Sequence, residues 1–209
     1  MNRALTGITA KKFRVGYAPE SGLKEFLLQE GCAEEQLVQL GVIIRSEQGR
    51  TYDRFRRRVM FPIQDAKGRV IAFGGRIIDQ GEPKYLNSPD TPLFHKGRQL
   101  YGLNYSLPKA RMGDPFVVVE GYMDVISLHQ NGIETAVAPL GTAMTIDQLQ
   151  LLWHTCATPV LCFDGDSAGE RAAERIAYKA LEVIKPGYSL AFCFLSSGED
   201  PDSYIKQQG

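Results

Sequence analysis

The sequence predicts an α/β protein: a small mixed α+β region, then a parallel β-sheet flanked by helices. Two observations carry this. From residue 116 onward, short apolar runs alternate with stretches of helical period: FVVVE, YMDVISLHQNG, TAVAPLG, TIDQLQLLWHT, PVLCFDGD, SAGERAAERIAYKALEVIKPG, SLAFCFL and GEDPDSYIKQQ. Strands that are nearly all apolar, each followed by a helix, form parallel sheets buried on both faces. Earlier in the chain, VMFPI and RVIAFGG flank the turn signal DAKG, which predicts an antiparallel hairpin.

The elements follow in order. SGLKEFLLQEG predicts a helix with a serine start and a glycine stop, and AEEQLVQLGVI a second short one. The hairpin comes next, with arginines on both flanks. PKYLNSPDTPLFHKGRQLYG is rich in Pro, Gly, Asn and Ser and predicts a structured loop. LPKARMGDP at 107–115 marks a boundary, so the expected domains are 1–112 and 113–209. In the second domain Thr145 is the expected N-cap of the TIDQLQLLWHT helix.

The 209 residues suffice for one large or two small domains. No apolar run approaches the ~18 residues of a membrane span, and MNRALTGITAKKF lacks a signal-peptide core. The expected location is therefore the cytoplasm, with no membrane partner. Cys32, Cys156, Cys162 and Cys193 form no C-x-x-C pair and read as reduced core residues, not zinc ligands. His129 and His154 lie on expected helices, and His95 sits among basic and glycine residues.

The formal net charge of zero hides an asymmetry. Residues 45–113 hold 14 Lys and Arg against 6 Asp and Glu, whereas 114–209 hold 5 against 13. Some of those acids belong to solvated helix faces. Glu120, Asp164 and Asp166 instead end apolar runs. In an open α/β sheet, ligands bind outside the carboxyl ends of the strands. Glu120, the Asp164–Asp166 pair and the Glu199–Asp200–Asp202 group all fall there. Residues i and i+2 on a strand end point the same way, so Asp164 and Asp166 are expected as a pair. A carboxylate cluster repels itself unless a hard cation neutralises it, and two such ions suit phosphoryl transfer. The competing reading makes Glu120 a helix-start acid for YMDV.

The basic block complements this. RFRRRV, GGRIID, PKYLNS and FHKGR bring cations, amides and aromatics into one region. If RFRRR is a strand, Arg54, Arg56 and Arg58 share one face and offer it to phosphates. Tyr85 or Phe94 is positioned to stack on a base.

A strand-ending Glu-Gly followed by a strand-ending Asp-x-Asp resembles the Toprim domain of primases, topoisomerases, recombination proteins and some nucleases. The surrounding words are more specific. RFRRRVMFPIQDAKGRVIAFGGRII, PKYLNSPDTPLFHKGRQLYGL, VVEGYMDVISLHQNGI, APLGTAMT, FDGDSAGERAA and GEDPDSYI closely resemble the catalytic core of DnaG-type bacterial primases. The resemblance runs from about Gly41 to the end. It implies RNA primer synthesis on single-stranded DNA from ribonucleoside triphosphates, with two or more Mg²⁺ or Mn²⁺ ions. Glu120, Asp164 and Asp166 would be the main catalytic and metal-site acids, joined by Asp124, Asp200 and Asp202. Arg76, Lys84, Tyr85, Asn87 and Lys96 would handle phosphates and template, with Arg54 and Arg56 beside them.

The chain also departs from that family. No cysteine and histidine cluster corresponds to the family's zinc-binding domain, so no zinc is expected. The helical segment and the helicase-contacting region that follow the Toprim domain are missing, so the replicative helicase is expected as a partner only through those regions. The sequence reads as a fragment of a primase core. Other readings are a non-catalytic module holding single-stranded DNA or nucleotides, another Toprim enzyme such as a nuclease, and a haloacid-dehalogenase-type phosphohydrolase. The last fits poorly, because its Asp-x-Asp strand opens the domain, whereas here two βα units precede it.

Overall fold

The computed structural model describes residues 5–141 and 143–208. The chain forms two compact units, interleaved in sequence. One comprises Lys11–Ile63 and Val70–His95; the other holds the remaining described residues, chiefly from Lys96 onward. A short first helix, α1 (Gly7–Lys12), opens the described chain.

The first unit contains a four-stranded sheet in the order β1 (Gly16–Ala18), β4 (Arg58–Gln64), β5 (Val70–Ile77), β6 (Tyr85–Asn87). β2 (Ile43–Arg45) and β3 (Thr51–Asp53) form a separate antiparallel pair. Phe13, Leu37, Ile43, Phe55, Phe61, Ile63 and Phe94 are buried in this unit. The DAKG hairpin turn forms as expected: Gly68 takes φ +81°, and its N–H donates to the Asp65 carbonyl at 2.9 Å.

Both expected N-terminal helices form, as α2 (Leu23–Gln29) and α3 (Glu34–Gln39). The start of α2 differs from the serine cap expected. Its N-cap is Gly22, at φ +113°, with no side-chain cap bond from that position. The open amides of Leu23 and Lys24 donate instead to the carboxylate of the buried Asp53, at 3.0 and 2.8 Å. A side chain some thirty residues away does what a local cap ordinarily does.

Two further expectations are corrected. RFRRR is not a strand: β3 ends at Asp53, β4 begins at Arg58, and Arg57 takes φ +52°. That left-handed residue breaks the alternation, so Arg54, Arg56 and Arg58 do not form one cationic face. The PKYLNS part of the expected loop contains β6, which pairs antiparallel with β5 through Gly74–Asn87, Gly75–Leu86 and Arg76–Tyr85.

The second unit is built on a parallel sheet in the order β10 (Ala191–Phe194), β9 (Val160–Phe163), β7 (Val117–Val118), β8 (Ala136–Val137). Helices α5 (Tyr122–Gln130), α6 (Ile146–Trp153) and α7 (Ser167–Leu181) connect successive strands, and α8 (Pro201–Gln208) follows the last. Buried Val118, Val137, Leu149, Leu152, Leu161, Ile176 and Ala180 form a single core with Phe116 and Trp153. Thr145 caps α6 as expected, accepting from the Gln148 N–H at 3.1 Å in a capping box. The stretch expected as a boundary begins inside a helix, α4 (Leu103–Ala110), which contains Pro108 and buries Leu103, Ser106 and Ala110 on one stripe. That packing outweighs the helix-breaking tendency of the proline. No helix among the described residues is long and apolar enough to cross a membrane.

Candidate active site

The acids stand where the parallel strands end. β7 stops at Val118, and its backbone continues to Val119, whose N–H donates to Val137 at 2.9 Å. Glu120 comes next, at the surface. It is not a helix cap: the N-cap of α5 is Gly121, with no side-chain bond there. The Glu120 carboxylate instead accepts the backbone N–H of Asp164 at the end of the neighbouring β9. Its pKa is pushed above the ordinary carboxylate range, first by desolvation and then by the negative charges of Asp166 and Asp124; the Asp164 N–H opposes the rise. Although the side chain reaches the surface, its carboxyl lies low enough against the strand ends to lose hydration.

β9 ends at Phe163, one residue before Asp164. Here the expected strand-end pair takes another form. The Asp166 N–H donates back to the Asp164 carbonyl at 2.8 Å, so Gly165 is the centre of a tight turn. Asp166 is thereby the N-cap of α7, accepting from the amides of Ala168 and Gly169, both at 2.8 Å. Gly165 also donates to the Glu199 carbonyl at 3.1 Å and accepts from the Gly198 N–H at 3.1 Å. The segment after β10 is thus stitched to the DGD turn, which brings a third strand end to the same edge.

The remaining acids are more committed. Asp124 is buried in the first turn of α5. Asp202 is buried and accepts a hydrogen bond from the Ser127 hydroxyl, tying α8 to α5. Asp200 accepts from the Ser203 N–H at 2.7 Å, and the Ser203 hydroxyl accepts in return from the Asp200 N–H at 2.9 Å. Among the described residues no three His, Cys, Asp or Glu side chains close into a metal cage. An oxygen-only donor set, open at a strand edge and electrostatically strained at Glu120, suits a hard cation that keeps waters and phosphate oxygens as its other ligands. Beside the acids, burial pushes the Cys162 thiol up to about 12, with Cys193 next to it on β10 as a further cause. That thiol is inert core.

The basic residues separate by role in the first unit. The Arg76 guanidinium lies 5.8 Å from the centroid of the Tyr85 ring, and Tyr85 is partly exposed. Arg56 lies over Tyr52 at 5.3 Å. Lys84 and Asn87 bracket β6, and their backbone carbonyls are held by arginine side chains. Phe94 is fully buried and presents no ring for base stacking. Lys96 belongs to the other unit, in a short 3-10 turn (Lys96–Arg98). There Gln148 donates to the carbonyls of Lys96 and Gln99 at 3.0 and 2.8 Å, and Thr145 donates to Gly97 at 2.6 Å.

Residues 1–107 match the family described as DNA primase catalytic core, N-terminal domain, and 117–205 match a Toprim-like family. The chain belongs to the bacterial DNA primase family. It is 46% identical over 209 residues to a DNA primase of Pasteurella multocida and 47% identical over 212 residues to that of Escherichia coli strain K12. It covers 99% of itself but 36% of each, so it spans about a third of the length of these curated primases. Among solved structures it is similar to the E. coli primase catalytic core, at TM-score 0.91, 47% identity and 67% coverage of that chain. A DnaG primase catalytic domain bound to ssDNA superposes at TM-score 0.88 with 46% identity, and 67% of that chain is covered. The α/β class and the Toprim-type parallel sheet expected from the sequence agree with this membership.

The sequence reading of this primase-family chain missed several residues. Ser127 holds Asp202; its position three residues after Asp124 on a helix is a signal that places both on one face. Gln148, partner of the expected cap Thr145, anchors the Lys96 turn, and the T-x-x-Q capping pattern was its only trace. Gly75 left no local signal, and Arg58, expected to face phosphates, is instead buried against backbone carbonyls.

Proposed function

We propose that this chain is part of a primase catalytic core that extends RNA primers on single-stranded DNA from ribonucleoside triphosphates. One observation carries the reading: Glu120, Asp164 and Asp166 meet at adjacent ends of one parallel sheet, and the Glu120 carboxyl feels the charge of its neighbours. Membership of the primase family and likeness to a relative described as bound to ssDNA support it. Glu120, Asp164, Asp166 and Asp124 would hold Mg²⁺ or Mn²⁺. Bound there, the ion supplies neutralisation of charge on the transferring phosphate. The DGD turn keeps two carboxylates at fixed places on the backbone, while Asp200 bonds within the first turn of α8 and Asp202 ties that helix to α5. Arg76, Lys84, Tyr85 and Asn87 on the β5–β6 hairpin, with Arg56 and Lys96, would bind nucleotide and template phosphates. In this reading the basic residues of 1–112 bind, and the Toprim residues of 113–209 carry the chemistry.

The test is calorimetric titration of Mn²⁺ and Mg²⁺ into the purified chain, with and without a ribonucleoside triphosphate, beside Asp164→Ala. Primer extension on single-stranded DNA is followed in the same samples. The expected result is metal binding strengthened by nucleotide and lost in the variant, with extension abolished wherever binding is lost. Absence of metal binding with nucleotide present would sink the reading. Metal-independent retention of single-stranded DNA without any extension would favour a binding module instead.

A further inference from the structure

Two arginines of the RFRRR run are spent on backbone carbonyls. Arg54 donates from Nε and Nη2 to the Asn87 carbonyl oxygen, at 3.3 and 3.0 Å. Arg58 is only 6% exposed and donates from Nη1 to the carbonyls of Gly75 and Lys84, both at 3.4 Å. The Lys84 and Asn87 carbonyls lie at either end of β6: Lys84 just before it, Asn87 as its last residue. β6 is three residues long and stands at the edge of its sheet. Strands that short have little intrinsic hold on their place. Its other ties include Ser88 N–H to the Phe73 carbonyl at 2.8 Å, Phe73 N–H to the Ser88 hydroxyl at 3.0 Å, Ile77 N–H to the Lys84 carbonyl at 3.0 Å and the ladder with β5.

Burying a guanidinium is costly unless its donors are met. Desolvation lowers the pKa of both groups, although arginine stays charged. The planar guanidinium fixes the direction of its N–H groups, so that two of them converge on one carbonyl in Arg54 and one nitrogen reaches two carbonyls in Arg58; a rotating ammonium fixes neither arrangement. The path of Arg58 depends on Gly75. A Cβ there would lie 2.9 Å from the Phe55 ring and 3.0 Å from the Arg58 Cδ. The missing side chain is therefore the gap over which Arg58 passes.

We propose that Arg54 and Arg58 are positioning residues that clamp both ends of β6, and that Gly75 is the opening that admits Arg58. The clamp sets where Arg76, Lys84, Tyr85 and Asn87 stand. This rests on the reading of those four as the phosphate-handling face. Arg58 has too little exposed surface to serve as a phosphate ligand itself.

The test uses the full chain with Arg58→Lys, Arg54→Lys, Gly75→Ala and Lys84→Ala. Hydrogen–deuterium exchange is read across residues 84–88, and affinity for a fluorescein-labelled single-stranded oligonucleotide is read at two salt concentrations. The lysine variants keep the charge and lose the fork. Faster exchange is expected at 84–88 in Arg58→Lys and Gly75→Ala, with residues 117–119 and 160–163 unchanged. Oligonucleotide affinity falls several-fold. Combining Arg58→Lys with Lys84→Ala weakens binding by less than the sum of the two single losses, because part of the clamp's effect runs through Lys84. Unchanged exchange at 84–88, additive losses in the double variant, or loosening spread over the whole chain in both lysine variants would each overturn the clamp. If Lys84→Ala leaves oligonucleotide affinity intact, the phosphate-handling reading fails, while exchange at 84–88 still decides the clamp.

Discussion

A methyl group on Gly165 would lie 1.9 Å from the carbonyl oxygen of Ser196. Two backbones meet at that point, and the contact holds the DGD turn against the segment after β10. The absence of a side chain is what lets Asp164 and Asp166 occupy successive places around one tight turn. Gly165→Ala is expected to cost about 3 kcal/mol of stability, the cost of forced overpacking. The fold is expected to survive and metal binding to be lost. Denaturant unfolding and metal calorimetry on the same sample check this; metal affinity equal to the native chain would contradict it.

Asp166 serves both α7 and the acidic edge, and the two roles separate by substitution. Asp166→Asn keeps an acceptor for the amides of Ala168 and Gly169 and removes the charge. Asp166→Ala removes both. Asn is expected to hold stability within a few tenths of a kcal/mol, while Ala loses about 1 kcal/mol as a lost N-cap. Metal binding is expected to fall in both. Urea midpoints and calorimetric titrations distinguish the outcomes.

Glu120 makes stability depend on pH with a definite sign. Its folded pKa lies above the ordinary 4.5. Between the two values the folded state holds more protons than the unfolded one, so stability falls as pH rises through the folded value. Below roughly pH 4 both states are protonated and the difference vanishes. In chelator, Glu120→Gln is therefore expected to melt above the native chain at pH 7 and level with it near the acid end. Added Mg²⁺ is expected to raise the native chain and leave the variant behind. A variant no more stable at pH 7 in chelator would contradict the electrostatic reading of this edge.

Asp53 is a buried carboxylate that satisfies the start of α2 from a distant strand. Asp53→Ala leaves the Leu23 and Lys24 amides without that acceptor. The expected loss is about 2 kcal/mol, in line with a charged acceptor removed from backbone donors. Asp53→Asn is expected to recover part of it. Thermal melts of the two variants check the order.

Much of the second unit was legible in the sequence because its signals are local. Apolar runs and helical period placed β7 to β10 and α5 to α8, and Thr145 announced its cap. The basic stretch was less legible. RFRRR reads as an alternating strand, yet Arg57 adopts a left-handed backbone and the series breaks. PKYLNS reads as a loop because its composition is that of a loop; pairing with β5 makes part of it a strand. Edge strands of three residues carry too few side chains to show a period.

The sequence by itself determined that acids end apolar strands, that cations gather before them, and that an Asp-Gly-Asp turn opens a helix. Those are properties of neighbours in the chain. Only the tertiary structure decided which acids interact, since the order β10-β9-β7-β8 puts Glu120 beside Asp164, residues separated by two helices and two strands. It alone tied Asp202 to Ser127 and made Arg54 and Arg58 fastenings of a backbone. The physical reason is that a charged side chain's role depends on the acceptors and charges around its tip, and those arrive from parts of the chain that no local pattern specifies.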